Sequence, residues 1–154
     1  MSKAFIVAAV IVGFTLFAGG VFAQDRSHPL TLNTFVDILT DPTATSAQKE
    51  VGLKDGTWYE GTITVTDVEY FKNKGTGEPF TEIKDDNYRG GCYLLMFRVQ
   101  DTAKALTLKI GDKAVIRGWL SNIGMYTTKY LTACETRFAL FKECEILEVV
   151  KAGK

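Results

Sequence analysis

Histidine is almost absent, cysteine is scarce and net charge is missing, and each shortage closes off a class of function. His28 is the one histidine in 154 residues. It sits beside Pro29 in a polar lead-in, without a positioned partner, and makes a poor general base. No Ser-His-Asp, Cys-His or paired-carboxylate arrangement can be assembled, so no catalytic residue and no cofactor are expected. Cysteine occurs three times, as Cys92, Cys134 and Cys144, without the CxxC or Cys/His spacing of a zinc site. Eighteen basic residues balance eighteen acidic ones. That balance argues against a dedicated duplex-DNA binder, whose surface is strongly basic, and leaves room for a local basic groove. Glu78, Glu82, Asp85 and Asp86 lack the alternating Asp/Asn positions and distal Glu of a calcium loop. They read as a solvated hairpin tip, and no metal site is expected.

The N-terminus carries the one long apolar run. Lys3 supplies a short positive region, Ala4 to Phe17 follow, and Gly19-Gly20-Val21-Phe22-Ala23 form a small-residue exit. This is the pattern of an export signal over residues 1–23, cleaved after Ala23. The competing reading is an uncleaved anchor, since Ala4 to Ala23 reaches the roughly 20 residues that span a bilayer. No cysteine follows the cleavage position, which argues against a lipid anchor. A periplasmic or secreted chain of about 130 residues then remains, one domain with a single core. In that compartment disulfides persist, and three cysteines leave one unpaired or pairing between chains.

Residues 24–55 read as a helical lead-in. Leu30, Leu32, Phe35, Val36, Ile38 and Leu39 fall at mostly helical intervals, with Thr31 or Asn33 as N-cap and Asp41-Pro42 as the stop. Another helical turn is expected around Ser46 to Leu53. Residues 56–150 are strand-rich. Trp58 to Tyr70 alternates, with Tyr59, Gly61, Ile63 and Val65 on one face, and a bulge near Thr66-Asp67 would return Val68 and Tyr70 to that face. Phe71 to Pro79 reads as a loop, Phe80 to Lys84 as a short strand, and Asp85 to Gly91 as a hairpin connection. In Cys92 to Val99, Tyr93, Leu95, Phe97 and Val99 face the core. Leu94 and Met96 then point outward, so the N-terminal helix or a partner is expected to cover them. Asp101 to Leu108 reads as a short helix capped by Asp101. Gly111-Asp112 opens a fourth strand to Leu120, with Ala114, Ile116, Gly118 and Leu120 inward. Ser121 to Arg137 reads as a long loop. Phe138 to Val150 could be a helix by propensity, and is assigned to a strand because a barrel needs a closing partner. Gly61 and Gly118, each inside a strand, suit a sharply bent sheet.

One bent strand, two shorter ones, a small helix, a fourth strand, a loop and a last strand is the order of the five-stranded OB-fold barrel. Tyr59-Glu60-Gly61-Thr62-Ile63-Thr64-Val65-Thr66-Asp67-Val68 resembles the opening strand of bacterial OB-fold proteins of the tRNA_anti-like type. Leu108 to Gly118 resembles their Gly-Asp-strand-Gly element, and Phe141 to Leu147 their closing strand. The resemblance implies nucleic-acid binding by analogy with anticodon-binding barrels. It also implies parallel third and fifth strands, which would bring Cys92 and Cys134 together. That disulfide would be worth up to ~4 kcal/mol and would leave Cys144 a buried, inert thiol. The pairing Cys134–Cys144 is equally legal.

The candidate site is basic and aromatic. From Arg98 to Arg137 there are seven basic residues against three acidic ones, with Trp119, Tyr126 and Tyr130 interleaved. Flat rings stack on bases or sugars, and cations hold an anionic backbone. Arg98, Arg117, Trp119, Tyr126, Lys129 and Tyr130 are therefore the expected ligand contacts, on the third strand and the loop before the last. The ligand would be an anionic polymer, an oligosaccharide, single-stranded nucleic acid or a protein. Two competing readings stand. One is a solvated face whose aromatics pack over the barrel end. The other is an envelope assembly protein that associates, with itself or a partner, through Leu94 and Met96.

Overall fold

The computed structural model describes residues 26–53, 56–90, 93–126 and 136–153. The expected export segment, residues 1–23, lies outside them. No helix among the described residues is long and apolar enough to cross a membrane.

The chain runs β1 (Leu30–Thr31), α1 (Leu32–Thr40), α2 (Ser46–Gly52), β2 (Trp58–Thr64), β3 (Asp67–Lys72) and β4 (Pro79–Asp85). A 3-10 turn (Tyr88–Gly90), β5 (Tyr93–Val99), α3 (Thr102–Ala105), β6 (Lys113–Tyr126) and β7 (Thr136–Val150) complete it. All strands join one mixed sheet in the order β1-β2-β6-β7-β5-β4-β3. The β1–β2 and β5–β7 pairs are parallel.

The fold is mainly β, as expected, but seven strands in an open order replace the five of a closed barrel. The first long strand breaks at Val65–Thr66. Val65 N donates to Asp112 O and Thr66 N to Lys84 O, so its two halves pair with different neighbours. Leu30–Thr31 adds a short parallel strand beside Tyr59 and Glu60. Glycine does not produce the break. Gly61 and Gly118 instead permit close approach, because a Cβ at Gly61 would lie 2.9 Å from Leu32 Cβ, and one at Gly118 would lie 2.4 Å from Cys144 Sγ.

Both helices start where their caps are written. Thr31 Oγ1 accepts from Thr34 N, and Thr45 with Gln48 forms a capping box. The apolar side of α1 buries Leu32, Phe35, Val36 and Leu39. Phe35 meets Tyr59 and Phe141 edge-on, at 5.5 and 5.6 Å between centroids. The helix therefore seals the inward-facing residues, and the expectation that it covers Leu94 and Met96 fails. Those two side chains are half-buried on the outer face, in register with Phe138 and Leu140 of β7.

The inward face of β5 is as expected, and Phe97 stacks on Phe141 at 4.8 Å. Residues 136–150 are strand, paired with β5 on one side and β6 on the other. Helical propensity loses there because the segment is the central strand of the core. Three boundaries differ from the sequence reading. The β6 strand continues to Tyr126, since Ile123 still packs against the core. The β3 strand runs to Lys72, so Phe71 is in a strand and not a loop. The third helix keeps only four residues, Thr102–Ala105. Val68 returns to the core side, whereas Tyr70 remains 49% exposed.

Candidate functional site

Alternation along each strand sends odd and even residues to opposite faces, and the pairing register lines up one transverse row on the outer face. Phe71 of β3 stands opposite Phe80 of β4, and the rings stack at 5.4 Å with planes 20° apart. The Arg98 guanidinium of β5 lies over the Phe80 ring, 5.1 Å from its centroid. Glu82 Oε2 fixes Arg98 by accepting from Nε at 3.1 Å. Lys142 of β7 is in register with Trp119 of β6, and its Nζ lies 6.0 Å from the indole centroid. Trp58 of β2, in register with Trp119, continues the row, and Arg26 lies over its ring at 5.1 Å. Two rings, two cations and two more rings thus follow one another across six strands.

Between Arg98 and Trp119 the row opens into a slot of about 270 Å3, lined also by Asn73, Phe80, Gln100, Lys142 and Glu143. Both slot walls are held. Arg98 is pinned by a carboxylate whose side chain is only 9% exposed, and Trp119 stands between the inward Gly118 and Leu120 on β6. Planar guanidinium and aromatic faces bind flat rings, and the flanking cations attract anions.

Two of the six expected contacts, Arg98 and Trp119, meet at this slot. Arg117 sits on the same face but is engaged by Glu60, with Nη2 to Oε2 at 2.7 Å. The backbone of Tyr126 ends β6. Lys129 and Tyr130 lie outside the described residues. So do Cys92 and Cys134, and with them the expected disulfide. Cys144 is a free thiol, buried beneath Gly118, and burial pushes its ionisation well up. Sequence reasoning missed Phe71, Phe80, Lys142 and Trp58. The alternation of β2 already turned Trp58 outward, and extending β3 and β4 to the hairpin turn would have paired Phe71 with Phe80.

The basic excess of the Arg98–Arg137 window shrinks in the fold. Glu82 neutralises Arg98, Glu60 neutralises Arg117, and Lys104 Nζ donates to the Ile146 carbonyl. These partners come from outside the window or from backbone. A larger cavity, about 440 Å3, lies between β2, the start of α1 and the 85–89 turn. Its buried Asp85 is a structural acceptor, taking the Thr64 and Asn87 amides at 2.9 and 3.1 Å, and burial raises its pKa. Tyr88 there donates its hydroxyl to Asn33 Oδ1 at 3.0 Å.

No protein-family model and no curated protein matches the chain. Among solved structures it is similar to a lipoprotein from Klebsiella pneumoniae that is described, provisionally, as nucleic acid-binding. The two share 14% identity and a TM-score of 0.52, over 79% of this chain and 92% of the other. At that identity the likeness is one of fold.

Proposed function

We propose that this chain is an exported, non-catalytic binding module of the OB type, and that single-stranded nucleic acid is its ligand. The OB assignment rests on the chain order. β2 and β3 are consecutive in the chain but lie next to one end and at the other end of the sheet order, so the sheet curls round to meet at Val65 and Thr66, as in a closing barrel. Export rests on the apolar N-terminal segment, and the lipoprotein character of the similar structure agrees with it. Nucleic acid is favoured over other anionic polymers by one observation, the transverse row of Phe71, Phe80, Arg98, Lys142 and Trp119. Every base has a face to stack, and stacking is worth about 1–3 kcal/mol per base by alanine substitution.

Fluorescence anisotropy with labelled oligodeoxynucleotides and a matched duplex tests this. Single strands should bind better than duplex, and Trp119→Ala should weaken them roughly 5- to 100-fold. Because Arg98 and Arg117 are already paired, few phosphates are neutralised, and log affinity should fall with log salt at a slope of about −1 to −2. Single-strand binding unchanged by Trp119→Ala would overturn the site. The half-buried Leu94, Met96, Phe138 and Leu140 on the same face favour a second reading, an envelope assembly surface. A stable dimer in light scattering, with no oligonucleotide binding, would select that reading instead.

A further inference from the structure

The slot beside Trp119 has an acidic rim, which a site built only for phosphate charge would not carry. Glu143 is responsible, and its placement is unusual. It is a non-glycine residue at φ +49°, in the left-handed region, on the central strand of the sheet. The β7 pairing slips at this point, with register shifts on β5 between Phe97 and Val99 and on β6 between Arg117 and Trp119. The extra residue interrupts the in-and-out alternation. Phe141 and Cys144 are buried, while Lys142 and Glu143 both line the outer slot. Bulges of this kind re-aim side chains next to binding sites.

The slot has room for one flat ring. Arg98 and Trp119 stand on strands two steps apart, with Lys142 on the strand between them, and the slot measures about 270 Å3. The Arg98 guanidinium already lies over Phe80 and would extend the Phe71–Phe80 stack by one layer, and Lys142, with its Nζ 6.0 Å from the Trp119 centroid, supplies a cation at the same slot. At the rim, Asn73 Oδ1 is occupied by the Gly75 and Thr76 amides, so that side chain offers its NH2. The Glu143 carboxylate offers acceptors.

We infer that this slot holds a single nucleobase and that Glu143 reads its exocyclic amino group. The inference rests on the nucleic-acid reading above and gives it a specificity. Cytosine presents an N4 amino donor where thymine presents the O4 acceptor. The carboxylate accepts from the first and repels the second, while the two pyrimidines stack alike. The module therefore prefers cytosine to thymine.

The experiment compares labelled dC6 and dT6 on the mature chain at one fixed salt concentration, with the variants Glu143→Gln and Glu143→Asn. Asparagine tolerates the left-handed backbone, and the urea midpoint of each variant reports whether the fold is kept. Wild type should bind dC6 about five- to tenfold more tightly than dT6. Both variants should lose that preference and keep or improve dT6 binding. Equal binding of dC6 and dT6 by wild type, or a preference that survives both substitutions, overturns the role of Glu143 and leaves the binding module standing. Failure of both oligonucleotides to bind overturns the nucleic-acid reading itself, and so does binding of a uronate oligosaccharide in their place.

Discussion

Alanine at position 118 would probe a close approach inside the core. Gly118 lies on the inner face of β6, between the buried Ile116 and Leu120. A Cβ there would sit 2.4 Å from Cys144 Sγ, 3.2 Å from Phe141 Cβ and 3.4 Å from the Lys142 carbonyl oxygen. Ordinary contacts start near 3.5 Å, so the sulfur is too close by about 1 Å. Cys144 cannot swing away cheaply, because its short side chain is buried on the central strand. Either its rotamer is forced or β6 and β7 part. Overpacking of this size costs about 1–3 kcal/mol, and we expect about 2 for Gly118→Ala. Cys144→Ala alone removes one buried sulfur and should cost about 1 kcal/mol. In the double variant the worst contact disappears while the other two remain, so the pair should couple favourably by about 1–2 kcal/mol. Equilibrium urea unfolding of the chain from Gln24 onward, followed by far-ultraviolet circular dichroism, measures all four corners of the cycle. Additivity within about 0.5 kcal/mol would mean that Gly118 and Cys144 are not apposed. The packing of β7 against β6 would then be wrong.

Two further substitutions have signs that the structure fixes. Tyr59 is fully buried, its hydroxyl finds no hydrogen-bond partner among the described residues, and burial pushes its pKa up to about 12. Removing an unsatisfied buried hydroxyl relieves its desolvation, so Tyr59→Phe should raise stability by about 1 kcal/mol in the same urea assay; a loss would refute this. Asp112 accepts from the Ala152 and Lys109 amides, each at 2.9 Å, and from Lys151 Nζ at 3.0 Å. The two amides, then Lys151, hold its pKa down at about 2, against an ordinary 3.8. A folded pKa below the unfolded one stabilises fully above the unfolded value and loses that contribution as pH falls through the folded one. The urea midpoint of wild type should therefore drop more steeply than that of Asp112→Asn as pH falls from about 4 to about 2. Parallel profiles would show that this carboxylate does not fasten the C-terminal tail to the turn before β6.

What could be read beforehand follows from the range of each determinant. Caps and alternation are local. The start of α1 and the inward faces of β2, β5 and the first half of β6 were therefore legible in Thr31, Ile63, Phe97 and Ile116. The character of β7 was not, because Ala, Leu, Glu and Lys favour a helix until β5 and β6 flank the segment. Charge failed for the same reason. Counting along Arg98–Arg137 gave a basic groove, yet the register brings Glu82 to Arg98 and Glu60 to Arg117 from 16 and 57 residues away. What survives on the outer face is a row of planes with little net charge. Guanidinium groups already paired to carboxylates still stack, since pairing engages the edge of the fork and leaves its face open. On the proposed reading, recognition at this surface depends on ring faces and on the hydrogen-bonding edge assigned to Glu143, with counterion release a minor contribution. If the proposed ligand is right, a face of that design discriminates among bases more than it responds to the charge they share.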